Sequence, residues 1–375
     1  MKKTILLDYQ IFRKQEFGGI SRYFAELICG INKQPGYRAL PGKFYSNNIY
    51  LHHPGLTSHN KFGTGPTSGY KRIFEKMLLK LENYKLRIML KKGNFSVFHP
   101  TYYDTYFLKY LPPNKSLVIT VHDMTHENYY DNLHEYLSEE SKHKLALIER
   151  ADHIIAVSNY TQSQILKHFP DLSPDKISVI YHGPNIKPDI RSVKPGNLPG
   201  NYLLFVGVKK HYKNFFWLAE ALKDYLRENN LILLCAGSID FDVFEQKFLS
   251  RLELKGHVKY IPINSEEELA AIYENAICFI FPSLEEGFGM PILEAFACSC
   301  PVILSNSSAF PEIAGDAAVY FEPGDKEELI RQIEIICGNN TAKQELINKG
   351  RERLKLFSWA KTVDEHIKIY DKLSA

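Results

Sequence analysis

Glu286 and Glu294 stand eight residues apart in FPSLEEGFGMPILEAFACSCPVILSN, residues 281–306. The stretch reads as strand, glycine loop, helix, strand. Gly287 and Gly289 lie between the two acids and let backbone N–H groups approach a ligand that a Cβ would hold off. A helix expected to start near Met290 turns its positive end toward that loop, which favours a phosphate there. The two carboxylates can accept hydrogen bonds from sugar hydroxyls. Phosphate and several hydroxyls in one pocket describe a sugar nucleotide.

Three further places carry residues of the right type. In LFVGVKKHYKNF (204–215), Gly207 ends an expected strand, and Lys209, Lys210, His211 and Lys213 follow it. A diphosphate leaving group gains negative charge as a glycosidic bond breaks, and fixed cations aimed at that charge lower the barrier. In VITVHDMTHE (118–127), His122 and Asp123 follow another expected strand, with His126 and Glu127 close behind. A histidine there can hydrogen-bond the hydroxyls of a donor sugar. Gly18 and Gly19 precede a helix after the first strand. They do not form the G-x-G-x-x-G fingerprint, but they suit close approach of a donor diphosphate or an acceptor. Arg22, one turn on, reads equally as a phosphate contact and as a surface ion pair. Ser158 reads as a helix N-cap.

These residues need elements to hold them. The 375-residue chain suggests two domains. At 45% hydrophobic and 24% charged it has an ordinary globular composition. Its net charge of +3 argues against a dedicated nucleic-acid binder. No uninterrupted apolar run reaches about 18 residues, and the first residues read as a buried strand rather than a signal peptide. The six cysteines lack paired zinc spacing and read as buried thiols, which fits a reducing cytoplasm. Apolar runs at 4–7, 96–99, 117–121, 154–157 and 177–180 alternate with helical patterns such as 139–151 and 161–168. After the proline- and glycine-rich stretch 183–200, the rhythm resumes at 202–206, 231–236, 258–261, 277–281, 302–304 and 318–321. Strands alternating with helices imply parallel, doubly wound sheets. The expected domains are residues 1–185, a hinge at 186–200, and residues 201–358, with a last helix at 359–373 folding back on the first domain. Such sheets bind ligands beyond the carboxyl ends of their strands, where each motif above falls.

The glutamate segment resembles the Glu-x7-Glu motif of retaining glycosyltransferases with the GT-B fold, in particular glycosyltransferase family 4. The likeness extends through Glu-Gly-Phe-Gly-Met-Pro-x-Leu-Glu-Ala (286–295) to PEIAGDAAVYFEPGD (311–325). It also includes FGGISRYFAEL (17–27), the histidine at 122 and the lysine clamp at 204–215. The resemblance implies an α/β GT-B architecture, two Rossmann-like parallel-sheet domains facing a cleft, with the acceptor on the N-terminal side. By that likeness Glu286 grips the donor sugar's hydroxyls with the loop amides of Gly287, Phe288 and Gly289, and Glu294 holds the ribose. His122 completes the sugar site, and Lys213 holds the diphosphate. The family's clamp arginine is replaced here, with Lys209 as its stand-in, and a lysine cannot reproduce a bidentate guanidinium. In the family the donor diphosphate itself helps to take the acceptor proton, and no metal or other cofactor is used.

The combined motifs look closest to bacterial mannosyltransferases of O-antigen and capsule assembly. They imply GDP-mannose as donor and a saccharide or lipid-linked saccharide as acceptor in surface polysaccharide synthesis. Residues 71–92 carry eight Lys/Arg and two Glu on a helical apolar pattern. That pattern reads either as a packed helix with a solvated basic face or as one lying on an anionic membrane surface. The second reading would make a cytoplasmic protein peripheral at the inner face of the cell membrane. Two other functions stand as alternatives: a two-domain sugar-nucleotide epimerase, whose hallmark would be acids placed for elimination, and a non-catalytic sugar-nucleotide binder, which could dispense with His122 or Lys213.

Overall fold

The computed structural model describes residues 2–41, 46–52, 69–130, 138–209 and 211–374. Lys210 and Ser68 lie outside them. The chain forms two compact units, Met1–Gly183 with Trp359–Ala375, and Pro184–Ser358.

The first unit holds β1 (Lys3–Leu7), β2 (Tyr37–Pro41), β3 (Val97–His99), β4 (Ser116–Val121), β5 (His153–Ala156) and β6 (Ile177–Val179). They form one sheet in the order β2-β1-β3-β4-β5-β6, every pair parallel. Its helices are α1 (Gln10–Lys14), α2 (Gly19–Lys33), α3 (Gly69–Lys92), α4 (Thr125–Tyr130), α5 (Glu139–Arg150) and α6 (Asn159–His168). The central strands are buried along their length, as in a sheet covered on both faces, and so read as unbroken aliphatic runs. The Ser158 hydroxyl caps α6, accepting from the Thr161 N–H at 2.9 Å.

The second unit repeats the plan. Strands β7 (Tyr202–Val206), β8 (Ile232–Gly237), β9 (Val258–Pro262), β10 (Phe279–Phe281), β11 (Val302–Ser305) and β12 (Val319–Phe321) form a parallel sheet in the order β12-β11-β10-β7-β8-β9. Around it lie α7 (Phe215–Glu228), α8 (Val243–Arg251), α9 (Glu266–Glu274), α10 (Met290–Ala297), α11 (Phe310–Ala314), α12 (Lys326–Gly338) and α13 (Asn340–Leu354). The stretch expected to be a hinge joins this unit. Ile186 is fully buried, and the Val193 N–H donates to the Glu267 carbonyl at 3.0 Å.

In each sheet the chain starts mid-sheet, winds one way, then returns to the other side of its first strand. The direction reverses between β1 and β3 in the first unit and between β7 and β10 in the second. At such a switch point the loops after the two strands diverge and leave a crevice for a ligand.

The last helix, α14 (Trp359–Leu373), belongs to the first unit. It buries Val363, Ile369 and Tyr370 in that core, at about 1.5–3 kcal/mol per side chain. Lys3 Nζ and the Tyr37 hydroxyl both donate to the Asp371 carboxylate at 2.7 Å.

Candidate active site

In the second unit, β7 delivers the chain to Gly207, whose φ of +126° suits glycine alone. The chain continues through a short 3-10 turn, His211–Lys213, into α7. On the other side of the switch point, β10 leads into the loop before α10. One backbone bond ties the two loops: the Leu284 N–H donates to the Tyr212 carbonyl at 2.7 Å. Lys213 Nζ thereby comes 2.5 Å from Glu286 Oε1, with the two side chains only 13% and 15% exposed. The ammonium also lies 4.9 Å from the centre of the Phe281 ring.

Gly289 ends the loop and caps α10 with φ +97°. A Cβ there would fall 3.1 Å from Phe310 Cε1 and 3.0 Å from Ile292 Cδ1, so both conformation and space call for glycine. The N-terminus of α10 thus sits at the carboxyl end of β10. The Phe288 ring is buried edge-on against Phe357, 5.9 Å between centres. What residue 288 can offer a ligand is therefore its backbone N–H.

Glu294 is buried on α10. One of its oxygens accepts from Asn185 Nδ2 at 2.8 Å, and the other from the Tyr273 hydroxyl at 3.1 Å. Asn185 and Tyr273 were not singled out in the sequence. Asn185 sits in the stretch that reads as a hinge, and Tyr273 inside α9 with no motif around it.

Lys209 goes elsewhere. Its ammonium donates to the Ile239 carbonyl at 2.8 Å, lies 3.7 Å from Glu245 Oε2 and stands over the Phe241 ring. The Lys209 side chain is thus turned to the loop after β8, and the structure does not gather it with Lys213 and Glu286.

In the first unit, His122 follows β4. Its backbone N–H donates to the Tyr103 hydroxyl at 3.2 Å. Its ring meets Tyr23 edge-on at 5.1 Å and stacks on His182 at 5.9 Å, and its enclosed Nε2 has no hydrogen-bond partner among the described residues. Burial lowers its pKa to about 4, with Asp123 opposing and Lys144 assisting, so the imidazole is neutral at neutral pH. Glu127 is the buried ion partner of Lys144 at 2.6 Å, while His126 is exposed.

Gly18 precedes α2 in extended backbone, and Gly19 opens the helix. A Cβ at Gly19 would meet nothing within 4 Å, whereas one at Gly18 would strike the Gln15 side chain. Gln15 Oε1 accepts from the Ser21 N–H at 3.2 Å, filling part of that helix end. Arg22 is buried, 5.5 Å from the Tyr50 ring. Among the described residues, no three side chains of His, Cys, Asp or Glu converge as a metal ion would need.

Residues 49–187 match the domain family described as Glycosyltransferase Family 4, and residues 186–353 match Glycosyl transferases group 1. The chain is 31% identical over 242 residues to the O-antigen chain mannosyltransferase RfbU of Salmonella typhimurium, covering 64% of this chain and 65% of that protein. It is 31% identical over 176 residues to O-antigen chain mannosyltransferase B of Escherichia coli, covering 46% of each. The match thus spans less than two thirds of either relative. The fold matches the crystal structure of Anabaena Alr3699/HepE in complex with UDP and glucose. The TM-score is 0.71 at 17% identity, over 99% of this chain and 100% of that one.

Proposed function

This chain belongs to the glycosyltransferases of family 4 and group 1 with the GT-B fold, and from that premise we propose that it transfers mannose from GDP-mannose, with retention, to a saccharide or lipid-linked saccharide during surface polysaccharide synthesis. The observation that carries the reading is the Lys213–Glu286 pair, held at the β7/β10 switch point beside the N-terminus of α10. Cation, carboxylate and helix end together match a diphosphate joined to a sugar.

In this reading the diphosphate takes Lys213 from Glu286. The freed carboxylate then accepts hydrogen bonds from the sugar's hydroxyls, with the N–H groups of residues 287–289 alongside. Glu294, braced by Asn185 and Tyr273, takes the ribose hydroxyls. A neutral His122 suits a sugar hydroxyl better than a phosphate, because it brings no charge. As the bond from the anomeric carbon to the phosphate oxygen breaks, the acceptor oxygen bonds that carbon on the same face. The acceptor's proton passes to a diphosphate oxygen, and the nucleoside diphosphate leaves. Lys213 and the end of α10 meet the developing charge, the task a divalent metal otherwise performs. Lys209 would have to leave Ile239 and Glu245 to share it, so Lys213 is the principal clamp. Gly18 and Gly19 are assigned the supporting contact that their helix end allows.

The two named mannosyltransferase relatives support the sugar and the pathway. No helix among the described residues is long and apolar enough to cross a membrane. The basic helix α3 supports a place in the cytoplasm against the inner membrane face.

The test is release of free nucleoside diphosphate from a panel of sugar nucleotides, with and without EDTA. GDP should be set free slowly from GDP-mannose without acceptor, unaffected by the chelator. No release from any member would sink the transferase reading. Loss in EDTA restored by Mn²⁺ would sink its metal-free form.

A further inference from the structure

A cavity of about 400 Å³ opens in the first unit at the β1/β3 switch point. Its size falls within the range of about 300–1,000 Å³ usual for small-molecule sites, and it lies where an open parallel sheet takes a ligand. Its floor is rigid. The buried Asp8 carboxylate, at the end of β1, accepts from the Thr101 N–H at 2.8 Å, the Thr101 hydroxyl at 2.6 Å, Gln10 Nε2 at 2.7 Å and the Tyr106 hydroxyl at 3.0 Å. These bonds lock the loops after β1 and β3 to each other.

The walls are amphipathic. Tyr9, Tyr102 and Tyr106 line the cavity. Their hydroxyls donate to Asn83 at 2.7 Å, to Glu140 and to Asp8 at 3.0 Å, and Arg13 and Lys14 lie over the Tyr9 and Tyr102 rings. What they offer a sugar is therefore ring edge and hydroxyl lone pairs. Two of the lining cations are spent. Arg13 pairs with Glu82 and donates to Asn83 Oδ1 at 3.2 Å, and Lys14 pairs with Glu140. Arg87, exposed on α3, has no ion pair or hydrogen bond among the described residues. Its guanidinium only overlies the Tyr110 ring at 5.0 Å. The cavity therefore combines tyrosine-lined walls with one unspent guanidinium fork suited to a carboxylate or phosphate.

We infer that this cavity is the acceptor site of the proposed transfer reaction, and that the saccharide it takes carries a negative charge met by Arg87. The inference rests on the transferase reading. The anion is a phosphate on the sugar or a uronate carboxylate, which share this chemistry.

Calorimetric titration of the full chain without donor decides it, using methyl α-mannoside, mannose 6-phosphate, methyl glucuronide, inorganic phosphate and GDP as probes. At least one charged sugar should bind about tenfold tighter than the neutral glycoside, and tighter than inorganic phosphate. Which charged sugar wins identifies the source of the anion. Arg87→Ala should bring the charged sugars down to the neutral one and leave GDP binding unchanged. Equal affinity for charged and neutral sugars, or an unaltered preference in Arg87→Ala, overturns the inference. So does inorganic phosphate binding as well as the phosphosugar, which would mean an anion site without a sugar site. GDP is read separately. A chain that binds charged sugars but not GDP would overturn the acceptor role and the transferase reading together, yet leave a saccharide site in place.

Discussion

Glu286 and Lys213 neutralise each other at 2.5 Å in a largely enclosed spot. In the proposed reaction a diphosphate has to displace the carboxylate before it can use the ammonium, and the pair would then set both affinity and rate. Lys213→Ala removes the countercharge to the leaving group, and kcat should fall by about 10² or more. Glu286→Gln should split the two parameters. GDP should bind more tightly, because Lys213 no longer has a rival, while kcat falls through loss of the sugar's acceptor. Steady-state kinetics with GDP as inhibitor checks both. Wild-type turnover in Lys213→Ala, with an unchanged circular dichroism spectrum, would remove the lysine from the site. The positions of Glu286 and Lys213 were legible because each follows a strand within a run of glycines or cations. The direction of Lys209 was not, since it is set by the Ile239 carbonyl and Glu245, 30 and 36 residues on. Nor were the braces on Glu294, which come from 109 and 21 residues away. Local pattern shows which residue stands at a strand end, and tertiary distance decides what it touches.

The same division holds for elements. The central strands β7, β10 and β11 were legible because a sheet covered on both faces demands continuous apolar runs, and the edge strand β9 (VKYIP) because apolar Val258 and Ile261 still frame it. Strand β2 was missed. Tyr37, Arg38, Ala39 and Leu40 mix polar and apolar residues, as an edge strand with one partner can. Helix α3 was legible, but which of its faces lies inward was not. It turns Leu86 and Leu90 into the core and leaves Met77, Leu81 and Tyr84 about half exposed or more. These three recur at i, i+4 and i+7 and so share a face, while Lys80 and Lys85 are exposed beside them. An apolar stripe flanked by cations complements an anionic bilayer, and each nearby Lys or Arg contributes about 1 kcal/mol. The chain should float with vesicles containing anionic lipid. Binding should weaken in Lys80→Glu with Lys85→Glu and fade as salt shortens the Debye length. Equal recovery with neutral and anionic vesicles would leave α3 as a solvated helix only.

Over the whole chain, the first unit is made of two segments that meet only after the second unit has been built. They cross at Gly183, where a Cβ would lie 2.4 Å from the Trp359 N. Beyond the crossing, α14 closes a buried histidine cluster. The Tyr23 hydroxyl bonds His366 Nε2 at 2.6 Å and Thr120 Oγ1 at 3.1 Å, and His99 bonds Thr120 and the Tyr370 hydroxyl. Burial holds the pKa of His366 at about 4, with the Thr362 carbonyl opposing, and holds His99 and His182 well below 6.5. These groups are neutral when folded and protonate near 6.5 when unfolded. Between those values the unfolded chain binds more protons, so the contribution is intact above pH 6.5 and is lost as pH falls toward 4. From pH 7 to 5, His366 alone should cost the first unit about 2 kcal/mol. The chain has two tryptophans, and Trp217 lies in the second unit. In a Trp217→Phe background, Trp359 fluorescence therefore reports urea unfolding of the first unit alone. Adding His366→Gln should lower stability at pH 7 but flatten its fall toward pH 5 by that amount. An equally steep fall with and without His366 would mean that the closing helix is not held by a neutral histidine.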